Sequence, residues 1–108
     1  MMRIAIIGST QYLSKFVSHK KEMESEGHEV RIPALDDKPL LNELGICEYN
    51  RNMIEWADRI DIIYDGRSIM TLFDFGMAFM ANKPIKIVFY EPKAVKNVFF
   101  QYEEQNKK

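Results

Sequence analysis

The chain has 108 residues, enough for one domain with a real core and too few for a second. Lys and Arg total 15 against 16 Asp and Glu, which argues against a dedicated nucleic-acid binder, since those carry a basic excess. The single cysteine, Cys47, excludes an internal disulfide and reads as inert. The N-terminus enters a strand-like run instead of a signal peptide, and no apolar run approaches the roughly 20 residues of a membrane span. A soluble, cytoplasmic protein is the expectation.

Arg3 to Ile7 (RIAII), closed by Gly8, reads as a strand buried on both faces, as in a parallel sheet. In the following STQYLSKFVSHKKEMESEG, Leu13, Phe16, Val17 and Lys20 fall at i, i+3, i+4 and i+7 of a helix. Ser9 or Thr10 can cap its start and Gly27 ends it. The basic run Lys15 to Lys21 reads as the wet face of that helix, and His19 and His28 as surface residues. Glu29 to Pro33 is a short second strand with the polar alternation of a sheet edge. Ala34 to Ile46, with Pro39, Asp36, Asp37 and Gly45, reads as a loop holding at most one helical turn.

Cys47 to Asp58 is expected to be helical, with Tyr49, Met53 and Trp56 or Ala57 on one face. Ile60 to Tyr64 (IDIIY) is a third strand, ended by Asp65-Gly66. Ser68 caps a helix reaching Ala81, where Asn82 and Pro84 stop it. Ile85 to Tyr90 is a fourth strand and Val95 to Gln105 a final helix. Strands alternating with helices imply a parallel sheet with helices on both faces, and right-handed crossovers favour a flavodoxin-like, Rossmann-like sandwich of strand order 2-1-3-4. Ligands bind such sheets beyond the carboxyl ends of the strands where the order reverses. That point receives Gly8, Ser9 and Thr10 from the first strand and Asp65, Gly66, Arg67 and Ser68 from the third.

In the stretch YDGRSIMTLFDFGMAFMANKPIKIV, one carboxylate, Asp74, lies among Leu72, Phe73, Phe75 and Met77. Burying an unpaired charge is expensive, so this acid either reaches an opening or is hydrogen-bonded by a neighbour. The run DFGMAFMANKPIKIV resembles the signature of the nucleoside 2-deoxyribosyltransferase-like superfamily, which includes the 2'-deoxynucleoside 5'-monophosphate N-glycosidases. The pattern there is a catalytic Glu, any residue, Gly, any residue, Ala, then a Lys-Pro or similar before an apolar strand. Here it becomes Asp74, Phe75, Gly76, Met77 and Ala78, then Lys83-Pro84 and IKIV. Upstream, WADRIDIIYDG (Trp56 to Gly66) and IAIIGS (Ile4 to Ser9) resemble the family's Asp-ended strand and its first strand and loop. Asp in place of Glu, a short chain, and no counterpart in VFFQYEEQNKK of the transferases' C-terminal segment are departures from the pattern.

The resemblance implies N-glycosidic bond cleavage or deoxyribosyl transfer through a carboxylate nucleophile, with Asp74 in that role. Asp65 would bind sugar hydroxyls or orient the leaving base. Ser68 stands six residues before Asp74, where the transferases carry an Asp and the monophosphate hydrolases a phosphate-binding Ser. A hydroxyl and N–H groups at a helix N-terminus suit an anion, and Arg67 adds a guanidinium. Gly8 and Ser9 complete the expected phosphate cradle, Gly66 is counted among the substrate-binding residues, and Tyr12 or Tyr64 would stack on the base. No metal or other cofactor is implied. Each residue also has a plain structural reading: Ser68 and Ser9 as caps, Asp65-Gly66 as a strand-ending turn, and Gly76 as a device for close helix packing. Two other functions stay open, a nucleotide-binding module without catalysis and a pure interaction domain. Residues 69–81 are apolar almost all round, more than one sheet face requires, which implies a homodimer through that helix or cover from Val95, Phe99 and Tyr102.

Overall fold

The structure, a computed structural model, describes residues 1–33, 42–64, 68–90 and 102–105. Ile4, Ala5, Ile6 and Ile7 are all fully buried, as a central strand covered on both faces requires. They form β1 (Arg3–Gly8), which pairs in parallel with β2 (Glu29–Arg31) on one side and β3 (Arg59–Tyr64) on the other. β4 (Ile85–Tyr90) extends the sheet beyond β3, so the order is 2-1-3-4. A register shift after Ile62 pairs Ile63 with Phe89 and leaves Val88 bulged.

Helix α1 (Leu13–Ser25), entered through a 3-10 turn at Thr10–Tyr12, covers one face. Its Phe16 and Met23 pack with Ile4, Ile6, Val30 and Ile63. Helices α2 (Glu43–Trp56) and α3 (Ile69–Met80) cover the other, where Met53, Ile54 and Ala78 meet Ala5, Ile7, Ile60 and Ile62. The result is the three-layer flavodoxin-like sandwich expected. Each buried isoleucine contributes about 1.5–3 kcal/mol through the area it removes from water.

Local chemistry sets the helix ends. Gly27, at φ 93°, closes α1 with His28 N–H donating to Met23 O and Gly27 N–H to Glu24 O. Asn82, at φ 55°, closes α3 by the same pair of bonds, Lys83 N–H to Ala78 O and Asn82 N–H to Phe79 O. Both are Schellman turns, and Asn is the second-best residue for the left-handed position. Arg3 N–H and the Arg3 guanidinium bond Asp58 and hold its carboxyl below the ordinary value.

Several expectations about burial need correction. On α1, Leu13 and Val17 are exposed, and the inward stripe is Phe16, His19 and Met23. The helix sits rotated because His19 has a buried partner, described below. On α2, Asn42 caps the start by accepting from Gly45 N–H at 2.7 Å, so Glu43 to Ile46 is helix. Its buried face is Asn50, Met53, Ile54 and Ala57, with Tyr49 turned outward. His28 is half-buried and accepts a hydrogen bond from Met2 N–H through Nδ1. The loop read at residues 34–41 lies outside the described residues. So does most of the final helix, of which residues 102–105 are helical. Among the described residues no helix is long and apolar enough to cross a membrane.

Candidate functional site

α3 leaves the carboxyl end of β3 and turns an unexpected face inward. Its buried residues are Thr71, Asp74 and Ala78, at i, i+3 and i+7, while Ile69, Leu72, Phe79 and Met80 face outward. An apolar helix has therefore kept its small and polar stripe for the sheet. Asp74 is only 3% exposed. Asn50 of α2 donates to its Oδ2 through Nδ2 at 3.4 Å, and Oδ1 has no hydrogen-bond partner among the described residues. Burial pushes the carboxyl up to about 6, against a smaller downward pull from Asn50. At neutral pH the group is mostly ionised, yet it sits within about a unit of titrating.

The residues expected to hold phosphate divide. Ser68 is the N-cap of α3, its Oγ accepting from Thr71 N–H at 3.1 Å. Ser9 is buried, its side chain makes no cap bond, and its backbone N–H donates to Ile63 O at 3.0 Å. That N–H is committed to the sheet, so it is not available to an anion. Gly8 has a structural reason of its own. A Cβ there would lie 2.0 Å from Ile63 O and 2.9 Å from Phe16 Cε1, so only glycine lets β1 pass β3 and α1 this closely. Asp65, Gly66 and Arg67 lie outside the described residues.

Tyr12 and Tyr64 do not converge. Tyr12 packs edge-on to Phe89 at 5.1 Å on the α1 side, and Tyr64 is buried on the α2–α3 side with its ring 6.2 Å from that of Tyr90. One ring could stack on a given base; both could not enclose it.

Lys83, in the position of the Lys-Pro pair, has a local task. Its Nζ donates to Glu55 O and Ala57 O at 2.9 and 2.8 Å, closing the C-terminus of α2. Gly76 does not serve close packing, because a Cβ there would meet nothing within 4 Å. It opens instead on a groove of about 630 Å³ between α2 and α3, lined also by Phe73, Met77, Met80, Arg51 and Glu55.

One buried cluster was not anticipated. Asp61, fully buried in the middle of β3, receives Arg59 Nε at 2.7 Å and a second guanidinium nitrogen at 3.0 Å. His19 Nε2 lies 2.6 Å from Asp61 Oδ2. A carboxylate gripped by a guanidinium can only accept, so Nε2 carries the proton and donates. The ion pair raises Arg59 above its ordinary value. The signal was available: in the order 2-1-3-4 the third strand is an interior strand, an acid inside it must be paired, and Arg59 two residues earlier shares its face.

Among the described residues no three His, Cys, Asp or Glu side chains converge as a metal site. No protein-family model matches this chain, and no curated protein matches it significantly.

Proposed function

We propose that the protein cleaves the N-glycosidic bond of a nucleoside 5'-monophosphate, or transfers its deoxyribosyl group, with Asp74 as nucleophile. The reading rests on the resemblance to the nucleoside 2-deoxyribosyltransferase-like superfamily. The observation that carries it is Asp74 itself. A buried acid with one oxygen unpartnered among the described residues is costly to a fold. Such a cost is characteristic of catalytic groups.

In the proposed reaction, an Asp74 carboxylate oxygen attacks C1' as the C1'–N bond breaks. The bonding pair leaves on the base nitrogen, which takes up a proton. Water then attacks C1' of the glycosyl ester, gives up a proton and frees the carboxylate; a second base in place of water gives transfer. Ser68 meets the 5'-phosphate at the N-terminus of α3. Capping uses a lone pair of its Oγ and a phosphate contact uses its proton, so the two roles are compatible. Asp65 and Arg67 take the sugar and phosphate roles given above. The same reading includes a symmetric homodimer through α3, supported by the outward Ile69, Phe79 and Met80.

A second reading has its own support. The Asp74 side chain is shorter than Glu and nearly inaccessible, and the Ser9 N–H is committed to the sheet. Both favour a nucleotide-binding module without turnover. The deciding experiment is chromatographic detection of free base from a panel of nucleoside and 2'-deoxynucleoside 5'-monophosphates, with Asp74→Asn alongside. Release abolished in the variant supports the enzyme. Tight binding without release supports the module. Neither binding nor release removes both.

A further inference from the structure

α2 and α3 lie side by side over the sheet, and each turns one polar residue to the seam between them. Asn50 belongs to the buried stripe of α2 with Met53, Ile54 and Ala57, and it is 3% exposed. An amide in such a stripe costs desolvation and is a poor helix former. Leucine has the same branching and neither cost. Asn50 Nδ2 donates to Asp74 Oδ2 at 3.4 Å. A carboxylate only accepts, so the amide turns its nitrogen to Asp74. Asp74 Oδ1 is buried and unpartnered among the described residues, so this one bond is the hydrogen-bonded support of the charge.

We infer that Asn50 is a positioning residue: its amide pins Oδ2 of Asp74 across the α2–α3 seam and keeps the carboxylate charged for attack on C1'. The inference rests on the glycosidic reading above. Desolvation favours the neutral acid, which is no nucleophile, and an N–H donor favours the charged form. The surroundings leave this task to Asn50. β1 and β3 present Ala5, Ile7, Ile60, Ile62 and Tyr64 to this side, none of them charged at neutral pH. Arg59 and Asp61 of β3 lie on the opposite face with His19 of α1. Arg51 and Glu55 of α2 line the outer groove. Burial raises the Asp74 carboxyl and Asn50 lowers it, and no charged group enters the balance.

The test is a carboxyl-carbon NMR titration of Asp74 in wild type, Asn50→Leu and Asn50→Met, with the signal assigned by its loss in Asp74→Asn. Leucine repeats the branching of asparagine and methionine adapts to an irregular gap, so one or the other gives a folded protein without the donor. Wild type is expected to titrate near 6, and the variants about half a unit to one unit higher, since the bond is long. Base release from nucleoside 5'-monophosphates is followed on the same proteins. Its acid limb moves up in step, so at about pH 6 the variants are about two- to fivefold slower. A purely space-filling role for Asn50 moves neither midpoint. An Asp74 midpoint that is unchanged or lower in the variants overturns the inference, and the glycosidic reading survives wherever base release still depends on Asp74. The expected shift in a protein that releases no base supports Asn50 as the group that charges Asp74 and overturns the glycosidic reading instead.

Discussion

Asn50 of α2 donates a hydrogen bond to Asp74 of α3 at 3.4 Å, and this is the one side-chain hydrogen bond Asp74 makes among the described residues. The bond is long, it satisfies one oxygen of a buried carboxyl, and it is too weak to offset desolvation. Asp74 therefore lies near 6 instead of its ordinary 3.8.

The sign of the stability effect follows. Below the unfolded value both states hold the proton and Asp74 carries no penalty. As pH rises between 3.8 and about 6 the unfolded chain ionises first, and stability falls until the folded group ionises as well. The full loss above that window is about 3 kcal/mol. Asp74→Asn, which keeps the bond from Asn50, is expected to be more stable than wild type at about pH 7.5 by up to that amount, with the gap closing by about pH 4. Urea unfolding of both proteins at the two pH values checks it. Equal stability at both would mean that Asp74 is better solvated than its burial implies.

The same titration governs activity. A nucleophile must be ionised, so base release is expected to fall tenfold for each pH unit below an apparent pKa close to 6. A rate that instead rises as pH falls through this window would make the neutral acid the working form, and Asp74 would be a proton donor. The kcat profile, measured at saturating substrate, separates the two.

Gly8 and Gly76 make opposite predictions. Gly8→Ala drives a Cβ into the Ile63 carbonyl, which is backbone and cannot move aside, so the variant is expected to be insoluble or unfolded. Gly76→Ala meets open space in a helix interior and gains about 1 kcal/mol. Thermal melts of the two variants decide. A Gly76→Ala protein that is more stable yet inactive would show that something must approach the α3 backbone at that point.

Strand order and the three helices α1, α2 and α3 were legible because they follow from local patterns: β-branched runs, Gly27 after one helix, Asn82 and Pro84 after another. The faces were less so. His19 looked like a member of a basic run, and its burial depends on Asp61, which is 42 residues away in the chain. The α3 face was hidden for the opposite reason. With apolar residues all round, nothing local said that the stripe of Thr71, Asp74 and Ala78 would turn to the sheet, and that choice depends on Asn50 and on the space over β1. Asp74 itself was legible as an anomaly, an acid among phenylalanines, whereas Asp61 is a single acid inside a short apolar strand and its partner His19 is remote in sequence.

The Asp61 cluster yields the last prediction. Asp61→Ala leaves the Arg59 guanidinium, about one-fifth exposed, and the His19 ring facing an apolar gap. Removing one partner of a buried pair typically costs 3–5 kcal/mol, and the partial exposure of Arg59 places this case at about 3. Replacing the pair together, as Arg59→Met with Asp61→Leu, removes both charges and fills the space. The double variant is expected to be more stable than Asp61→Ala alone, although it deletes more native hydrogen bonds. Denaturant titration of the two variants and wild type gives the comparison. A double variant that is less stable than the single one would mean that the cost of Asp61→Ala does not come from the Arg59 charge left unpaired.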